Sequence, residues 1–445
     1  VASVSELFDG VLAAGPVRAE TGDPAWLRAL LDVESALAGA QADVGLIQRS
    51  YADRIAEACH LEYYDIAELG ERAKAIGNPA APLIRALTAE VHGDAAGYVH
   101  FGATSQDVMD SAAMLVVARA RTVLLEDLDA CAELLAELAR EHISTVQVGR
   151  TLLQQALPTT FGLTAAGWLS GVDTAAAALR DLRPTAQLGG AVGTLASLGD
   201  PGTAVLKAFS ERLGLAEPVL PWHTERTRIA EVASALGQVS GAVATIARTI
   251  TLLAQTEVGE LAEQGPPGSG GSSTMPHKRN PVAAVSALAC ARQAPGLVAT
   301  LFGVMEQEYQ RAAGAWHSEW RPFTELLRAT GSAVHWLRTS LERLRVDPAR
   351  MRVNLDLTEG ALLAERVTAA LVPHTGRLAA HDAVGRCCAQ GGDLIELMMA
   401  DPLVGKHLNR GQLAELLDPE SYLGSARVFV ERALSAHQAR RKENS

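Results

Sequence analysis

Aromatic side chains are scarce in this chain: Phe, Trp and Tyr make up 4% of its 445 residues. Runs in which β-branched residues alternate with polar ones are scarce as well, so a sheet-based core has little to build from. Basic residues are the minority, 39 Lys and Arg against 51 Asp and Glu, a formal net charge of −12. That balance speaks against nucleic acid or an anionic membrane surface as a partner, because either needs a basic patch that the sequence does not show. Cysteine is rare too, with five residues, two of them adjacent at Cys387 and Cys388 and none in a CxxC spacing. This argues against a disulfide framework or a zinc knuckle and fits a reducing cytoplasm. Residues 1–16 carry Glu6 and Asp9 and no basic leader, so no signal peptide is expected and the location is read as cytoplasmic. There is no HExxH and no His or Cys cluster at ligand spacing, so no metal is expected.

What the chain does hold is helix. At ~150 residues per domain its length suggests about three domains. Residues 106 to about 143 contain neither proline nor glycine, and Met114, Val117, Leu124, Leu128, Cys131, Leu135 and Leu138 follow 3,4 spacing with Arg121 as the one exception. A second seam is cleaner: Ile229, Val232, Leu236, Val239, Val243, Ile246, Ile250 and Leu253. Each helix would run roughly 50 Å at 1.5 Å per residue, more than a small domain needs. Outside the second seam stand Ala233, Gly237, Ser240, Gly241, Ala244 and Ala247. A helix small or apolar on every side is expected to be buried on every side. Glu231 and Arg248 within it speak against a membrane span, so packing with other subunits is the favoured account and a long helix inside one monomeric bundle the other. Glycines and prolines at residues 184–202 and 265–271 mark loops, and a further boundary falls near residues 347–360. The expected architecture is all-α: an N-terminal helical domain at 1–105, a central long-helix bundle at 106–355 and a C-terminal helical domain at 356–445.

The residues suited to chemistry lie on loops and helix ends. Residues 271–281 read GSSTMPHKRNP, where Asn280 and Pro281 fit an N-cap and a first helical position, placing Lys278 and Asn280 at the positive end of a helix. A phosphate P-loop does not fit, because His277 rather than glycine precedes the lysine and no strand comes before it. Residues 100–110, HFGATSQDVMD, open the first long helix, with Thr104 or Ser105 as cap and Asp107 in the first turn, leaving amides and hydroxyls to hold a carboxylate. Residues 149–160, GRTLLQQALPTT, set Gln154 and Gln155 in an apolar run. Residues 311–321, RAAGAWHSEWR, bring Arg311, His317, Glu319 and Arg321 near Trp316 and Trp320. Capping, solvent-facing glutamines and ordinary packing of His317 against tryptophan are the plain alternatives for the last three.

GSSTMPHKRNP resembles the signature of the fumarase/aspartase superfamily, and HFGATSQD and GRTLLQQALP resemble its two other shared regions, in the family's order and over essentially the whole chain. Within it, LEYYDIAELGERAKAIGNPAAPLIRAL, PWHTERTR and GAWHSEW are more similar to the bacterial 3-carboxy-cis,cis-muconate cycloisomerases than to adenylosuccinate lyases. The resemblance implies an all-α homotetramer with a central helical bundle and active sites each assembled from three subunits, acting on a small polycarboxylate without a cofactor. It implies that Ser272 is the mobile-loop base, that Lys278 and Asn280 are catalytic beside it, and that Thr104 and Ser105 hold a carboxylate. His100, Gln154, Ser273, Thr274, Met275, His277, Arg279, Arg311, His317 and Arg321 join them as substrate-binding residues.

One departure carries chemical information. Lyases of this superfamily usually read RTHLQ where this chain has Arg150, Thr151, Leu152, Leu153 and Gln154. The family histidine serves the leaving group, and Leu152 cannot move a proton. An amine or hydroxide leaves poorly without an acid, whereas a carboxylate, with a parent pKa of roughly 4, leaves unaided. The sequence therefore favours closure of a muconate-type triacid to a lactone over release of fumarate from an amine adduct such as adenylosuccinate, with a related β-elimination that has a good leaving group as a further alternative. An assembly that kept the fold and lost the activity is the third reading, which intact Ser272, Lys278 and Asn280 oppose.

Overall fold

The computed structural model describes residues 6–266, 269–271, 274, 275 and 277–444. In chain order the elements that matter here are α1 (Asp23–Asp43), α2 (Ser105–Glu141), β1 (Val146–Thr151), β2 (Gln154–Thr160), α3 (Phe161–Arg180), α4 (Thr227–Leu253), β3 (Leu261–Glu263), α5 (Val282–Ala291), α6 (Ala315–Arg343), β4 (Leu344–Val346) and α7 (Ala426–Asn444). The fold is all-α, with two antiparallel two-stranded ribbons, β1–β2 and β3–β4, as the sheet among the described residues.

The heptad seams became the buried faces of α2 and α4. Every seam residue of α4 from Ile229 to Leu253 is buried, as are Met114, Val117, Leu124, Leu128, Cys131 and Leu135 of α2, with Leu138 half-buried. Arg121 interrupts that seam without stranding a charge, because its guanidinium donates to the Leu182 carbonyl at 2.5 Å. Within the single chain α4 is covered on part of its circumference. Ala233, Ala235, Ser240 and Ala247 are buried, but Glu231, Gln238, Gly241, Thr245 and Arg248 form a solvent-facing stripe in the single chain. Residues Thr227–Leu253 and Val282–Gly303 are each long and apolar enough to cross a membrane. A core helix passes the same test, and the buried seam of α4 is what such a helix shows.

Contacts divide the chain into two compact units. Residues 1–129, 174–244 and 285–338 form the first, and residues 130–173, 245–284 and 339–445 the second. In the first unit α4 and α6 share a Ser240–Thr330 hydroxyl pair at 2.9 Å. There too Arg226 bridges Asp110 (2.8 and 3.1 Å) and Glu319 (2.9 and 2.6 Å), all three side chains being nearly inaccessible. Burial opposes the charged guanidinium, but the two carboxylates prevail and hold Arg226 above its usual range.

The second unit contains one core around Val367, Leu371, Val384, Met398 and Leu413 and a smaller one where Ala139, Ala165 and Ala166 meet Val430 of α7. It also contains the feature that a helical reading missed, the β1–β2 hairpin. Val146 pairs with Thr160 and Thr151 with Gln154, with an irregularity between Val148 and Arg150. The turn consists of Leu152 and Leu153, with φ of 50° and 67°. A two-residue turn with both residues left-handed suits a twisted hairpin but normally recruits Asn and Gly. Leucines give no turn signal in the sequence, which is why the hairpin was not expected. Buried Glu260 anchors it, accepting hydrogen bonds from Gln147 (2.9 Å), from Arg150 (2.5 and 3.1 Å) and from Asn354 (2.7 Å).

Replacing Arg226 by Met strands two buried carboxylates, so the variant should lose about 3–5 kcal/mol of stability. Urea denaturation followed by circular dichroism reads this directly, and near-native stability would show that the triad contributes little.

Candidate active site

In the first unit the HFGATSQD segment is organised by Asp107. Its carboxylate accepts from the amides of Thr104, Gly189 and Gly190, each at 2.9 Å, and from Nε2 of His223 at 2.7 Å. The Asp107 amide donates back to the Thr104 carbonyl at 2.9 Å, so Asp107 closes the start of α2 reciprocally. Capping by the Thr104 or Ser105 hydroxyl was the expectation. Asp107 does that work instead, and among the described residues neither hydroxyl has a hydrogen-bond partner. Gly189 lets the backbone come this close: a Cβ there would lie 2.7 Å from Pro221 Cβ and 2.9 Å from His223 Cε1. Beneath this turn Gln106 is fully buried, donating to the His223 carbonyl at 2.8 Å and to Asp110 at 3.1 Å.

Arg311 is tied to the same turn. Its guanidinium donates to Gln106 Oε1 at 3.0 Å, to the Ala191 carbonyl at 2.8 Å and to the Gly190 carbonyl at 3.5 Å. His100 precedes the turn in a left-handed conformation, φ 59°, with Nδ1 2.7 Å from Glu34 Oε1. Burial opposes a charged ring, yet Glu34 and then Asp107 outweigh it, so His100 titrates above its ordinary range. His317 and Arg321 are exposed on α6, where the His317 ring packs 4.7 Å from that of Trp320.

In the second unit the signature loop is closed at its base. The Asn280 amide and Nδ2 both donate to the Gly270 carbonyl, at 2.8 and 3.2 Å, and Gly271 bridges to Arg279. Gly270 is required here, with φ 69° and a would-be Cβ 2.6 Å from the Asn280 carbonyl oxygen. The loop displays Thr274, Met275, His277, Lys278 and Arg279 to solvent, while Asn280 is half-buried. Ser272 and Ser273 lie outside the described residues. Asn280 was expected to cap the following helix. Its side chain is spent on Gly270, and Glu263 occupies the N-terminus of α5, accepting from the Ala283 and Ala284 amides at 3.0 and 2.8 Å and from Ser340 at 2.6 Å. The carboxylate fits there because it meets two unpaired amides at the positive end of the helix dipole.

Gln154 is exposed beside the hairpin tip, whereas Gln155 donates to the Asn354 carbonyl at 3.0 Å. The tip itself is open, with Leu152 97% and Leu153 71% exposed. Three polar residues that organise these sites were not singled out from the sequence: Glu34, Glu260 and Glu263. The signal for Glu34 was available, since it is one acid in the otherwise small and apolar run Val33–Ala40 of a helix.

Residues 13–296 match the lyase family model, and residues 360–433 match that of the adenylosuccinate lyase C-terminus. The 3-carboxy-cis,cis-muconate cycloisomerase of Pseudomonas aeruginosa is 46% identical, over 98% of this chain and 97% of that one. The chain belongs to the fumarase/aspartase superfamily. Another member, the nitrosuccinate lyase of Streptomyces davaonensis, is 44% identical over 97% of this chain and 94% of its own. Among solved structures, the 3-carboxy-cis,cis-muconate lactonizing enzyme of Pseudomonas putida superposes with a TM-score of 0.93 at 42% identity, covering 98% of this chain and 99% of that one.

In this superfamily member the Glu34–His100 pair has a defined pH signature. Below the ring's unfolded-state pKa both states are protonated and the pair contributes fully, and that contribution is lost as pH rises through the elevated folded-state value. The stability difference between the wild type and His100→Gln should therefore be largest near pH 6 and shrink toward pH 9, as urea titrations at several pH values would read. A difference that grows with pH would mean the ring is held neutral.

Proposed function

We propose that this chain is a cycloisomerase that closes 3-carboxy-cis,cis-muconate to a carboxymuconolactone, an aromatic-catabolic step of the β-ketoadipate type. The observation that carries the reading is an aliphatic residue, Leu152, at a hairpin tip where superfamily lyases keep a proton-moving histidine, in a chain that retains Lys278 and Asn280. In the forward direction a substrate carboxylate oxygen forms a C–O bond to one alkene carbon. The π electrons move onto the conjugated carboxylate, and a proton is delivered to the adjacent carbon. Atoms balance without a co-reactant, and no cofactor is needed. Read backwards, the leaving group is a carboxylate, which departs without an acid.

In this scheme Lys278 and Asn280 stabilise the charge that develops on the conjugated carboxylate, and Ser272 delivers the proton. Thr104, Ser105 and His100 seat another carboxylate. Arg279 and Arg321 supply positive charge, and Ser273, Thr274, Met275, His277, Gln154 and His317 complete the walls. Arg311 keeps the Gly190–Ala191 turn in place. The sites are assembled between subunits of a homotetramer in a cytoplasmic enzyme. The exposed Leu152–Leu153 tip supports that assembly, since it leaves apolar surface that a second copy would cover.

The nitrosuccinate lyase supplies a second reading that meets the same constraint. Nitrite, like a carboxylate, is a stable anion, so loss of a proton and nitrite from nitrosuccinate also needs no acid at position 152. One assay separates the two. The wild type should bleach the ultraviolet diene absorption of 3-carboxy-cis,cis-muconate and release no nitrite from nitrosuccinate, whereas nitrite release with an unchanged diene spectrum would replace the first reading by the second. Ser272→Ala should lower turnover by about 10² to 10⁴ with sedimentation unchanged at the tetramer. Near-normal turnover would assign the proton to another group.

A further inference from the structure

The reaction above leaves one buried acid without a task. Glu34 lies within α1 with its side chain wholly enclosed, and Oε2 has no hydrogen-bond partner among the described residues. A carboxylate buried with half of its acceptors empty costs stability, and an alanine or leucine would pack at this position without that cost. Its one bond, from Oε1 to His100 Nδ1, spans 66 positions of sequence and ends on a residue whose backbone is left-handed. From the same helix Gln41 Nε2 donates to the Phe101 carbonyl at 2.6 Å, so α1 grips the segment at two successive residues. His100 Nε2 has no partner among the described residues, and the ring is partly accessible, at 16%. The unengaged hydroxyls of Thr104 and Ser105 follow within the same turn-and-helix start.

We propose that Glu34 is a positioning residue: by accepting from Nδ1–H it fixes the direction of the His100 ring, so that the Nε2–H of the imidazolium, with the Thr104 and Ser105 hydroxyls, seats one carboxylate of the substrate. The charged and titratable groups facing the ring are Glu34 from α1 and Asp107 from α2, the latter shared with His223. Both acids favour the imidazolium, which is the form that attracts an anion. The identity of that anion rests on the polycarboxylate reading above, whereas the dyad itself does not.

Histidine ¹⁵N-labelled protein and the non-reacting probe tricarballylate test this, with the His100 resonance assigned by its absence in His100→Asn. In Glu34→Gln the His100 titration should move to lower pH. Tricarballylate affinity by calorimetry should fall about tenfold at pH 8, the scale of one hydrogen bond to a charged group. The loss should be smaller at pH 6 than at pH 8, because lower pH favours the charged ring in the variant as well. With substrate, KM should rise in parallel while kcat stays within about threefold. An unmoved His100 titration, or an affinity loss equal at both pH values, overturns the dyad. If Glu34→Gln fails to fold, His100→Asn carries the same test: its tricarballylate affinity should no longer differ between pH 6 and pH 8 beyond the wild type's other ionisations, and an unchanged pH dependence refutes the proposal. A wild type that neither binds tricarballylate nor converts the muconate refutes the reaction class instead, with the titration still reporting on Glu34.

Discussion

The Asp107 carboxylate is the constraint on which the HFGATSQD turn of the first unit depends. It gathers the Thr104, Gly189 and Gly190 amides and the His223 ring, so three stretches far apart in sequence share one acceptor. Each of these donors would otherwise be a polar group needing a partner in a crowded interior. Because Asp107 closes the start of α2 by itself, the two hydroxyls beside it are spared from capping. Gly189 follows from the same geometry, since a side chain there would collide with the segment that carries His223. The neighbouring buried triad of Asp110, Arg226 and Glu319 extends the arrangement, and Trp316 Nε1 joins it by donating to Asp110 at 3.1 Å.

The second unit solves the same problem differently. Glu263, next to β4 in its ribbon, satisfies the α5 amides, which frees Asn280 to hold the signature loop shut against Gly270. Lys278 follows Met275 by a backbone turn, its amide donating to the Met275 carbonyl at 3.0 Å, and then enters solvent. The helix dipole at α5 is therefore balanced by protein, and the attraction for an anion has to come from side chains on the loop rather than from the helix end.

The seams of α2 and α4 were legible because burial of a helix face repeats with a fixed period, and eight residues of α4 obey it without exception. The motif strings were legible as well, since Gly270, Asn280 and the Thr104–Ser105 pair are residue types with special backbone or hydrogen-bonding demands. What escaped is long-range or unsignalled. Glu263 caps amides 20 and 21 positions away, and Glu34 meets His100 across 66, so no local pattern announces either. The hairpin was hidden by its own turn, where Leu152 and Leu153 adopt a conformation that sequence rules reserve for Asn and Gly.

That turn also links fold to chemistry. Two large apolar residues in left-handed conformations at an exposed tip are costly on their own, both in backbone strain and in apolar surface. A histidine at position 152 would tolerate the left-handed backbone better and would give the site a proton donor. A chain that bears the less comfortable residue at that position gives up that donor, which suits a substrate whose departing group already carries its charge. Against it stand the cations. In a chain with net charge −12, Arg150, Arg226 and Arg311 are committed to internal acceptors, whereas the side chains of Lys278, Arg279 and Arg321 have no ion-pair partner among the described residues. A polycarboxylate is attracted where positive charge is uncommitted, and in this chain the signature loop is one such place.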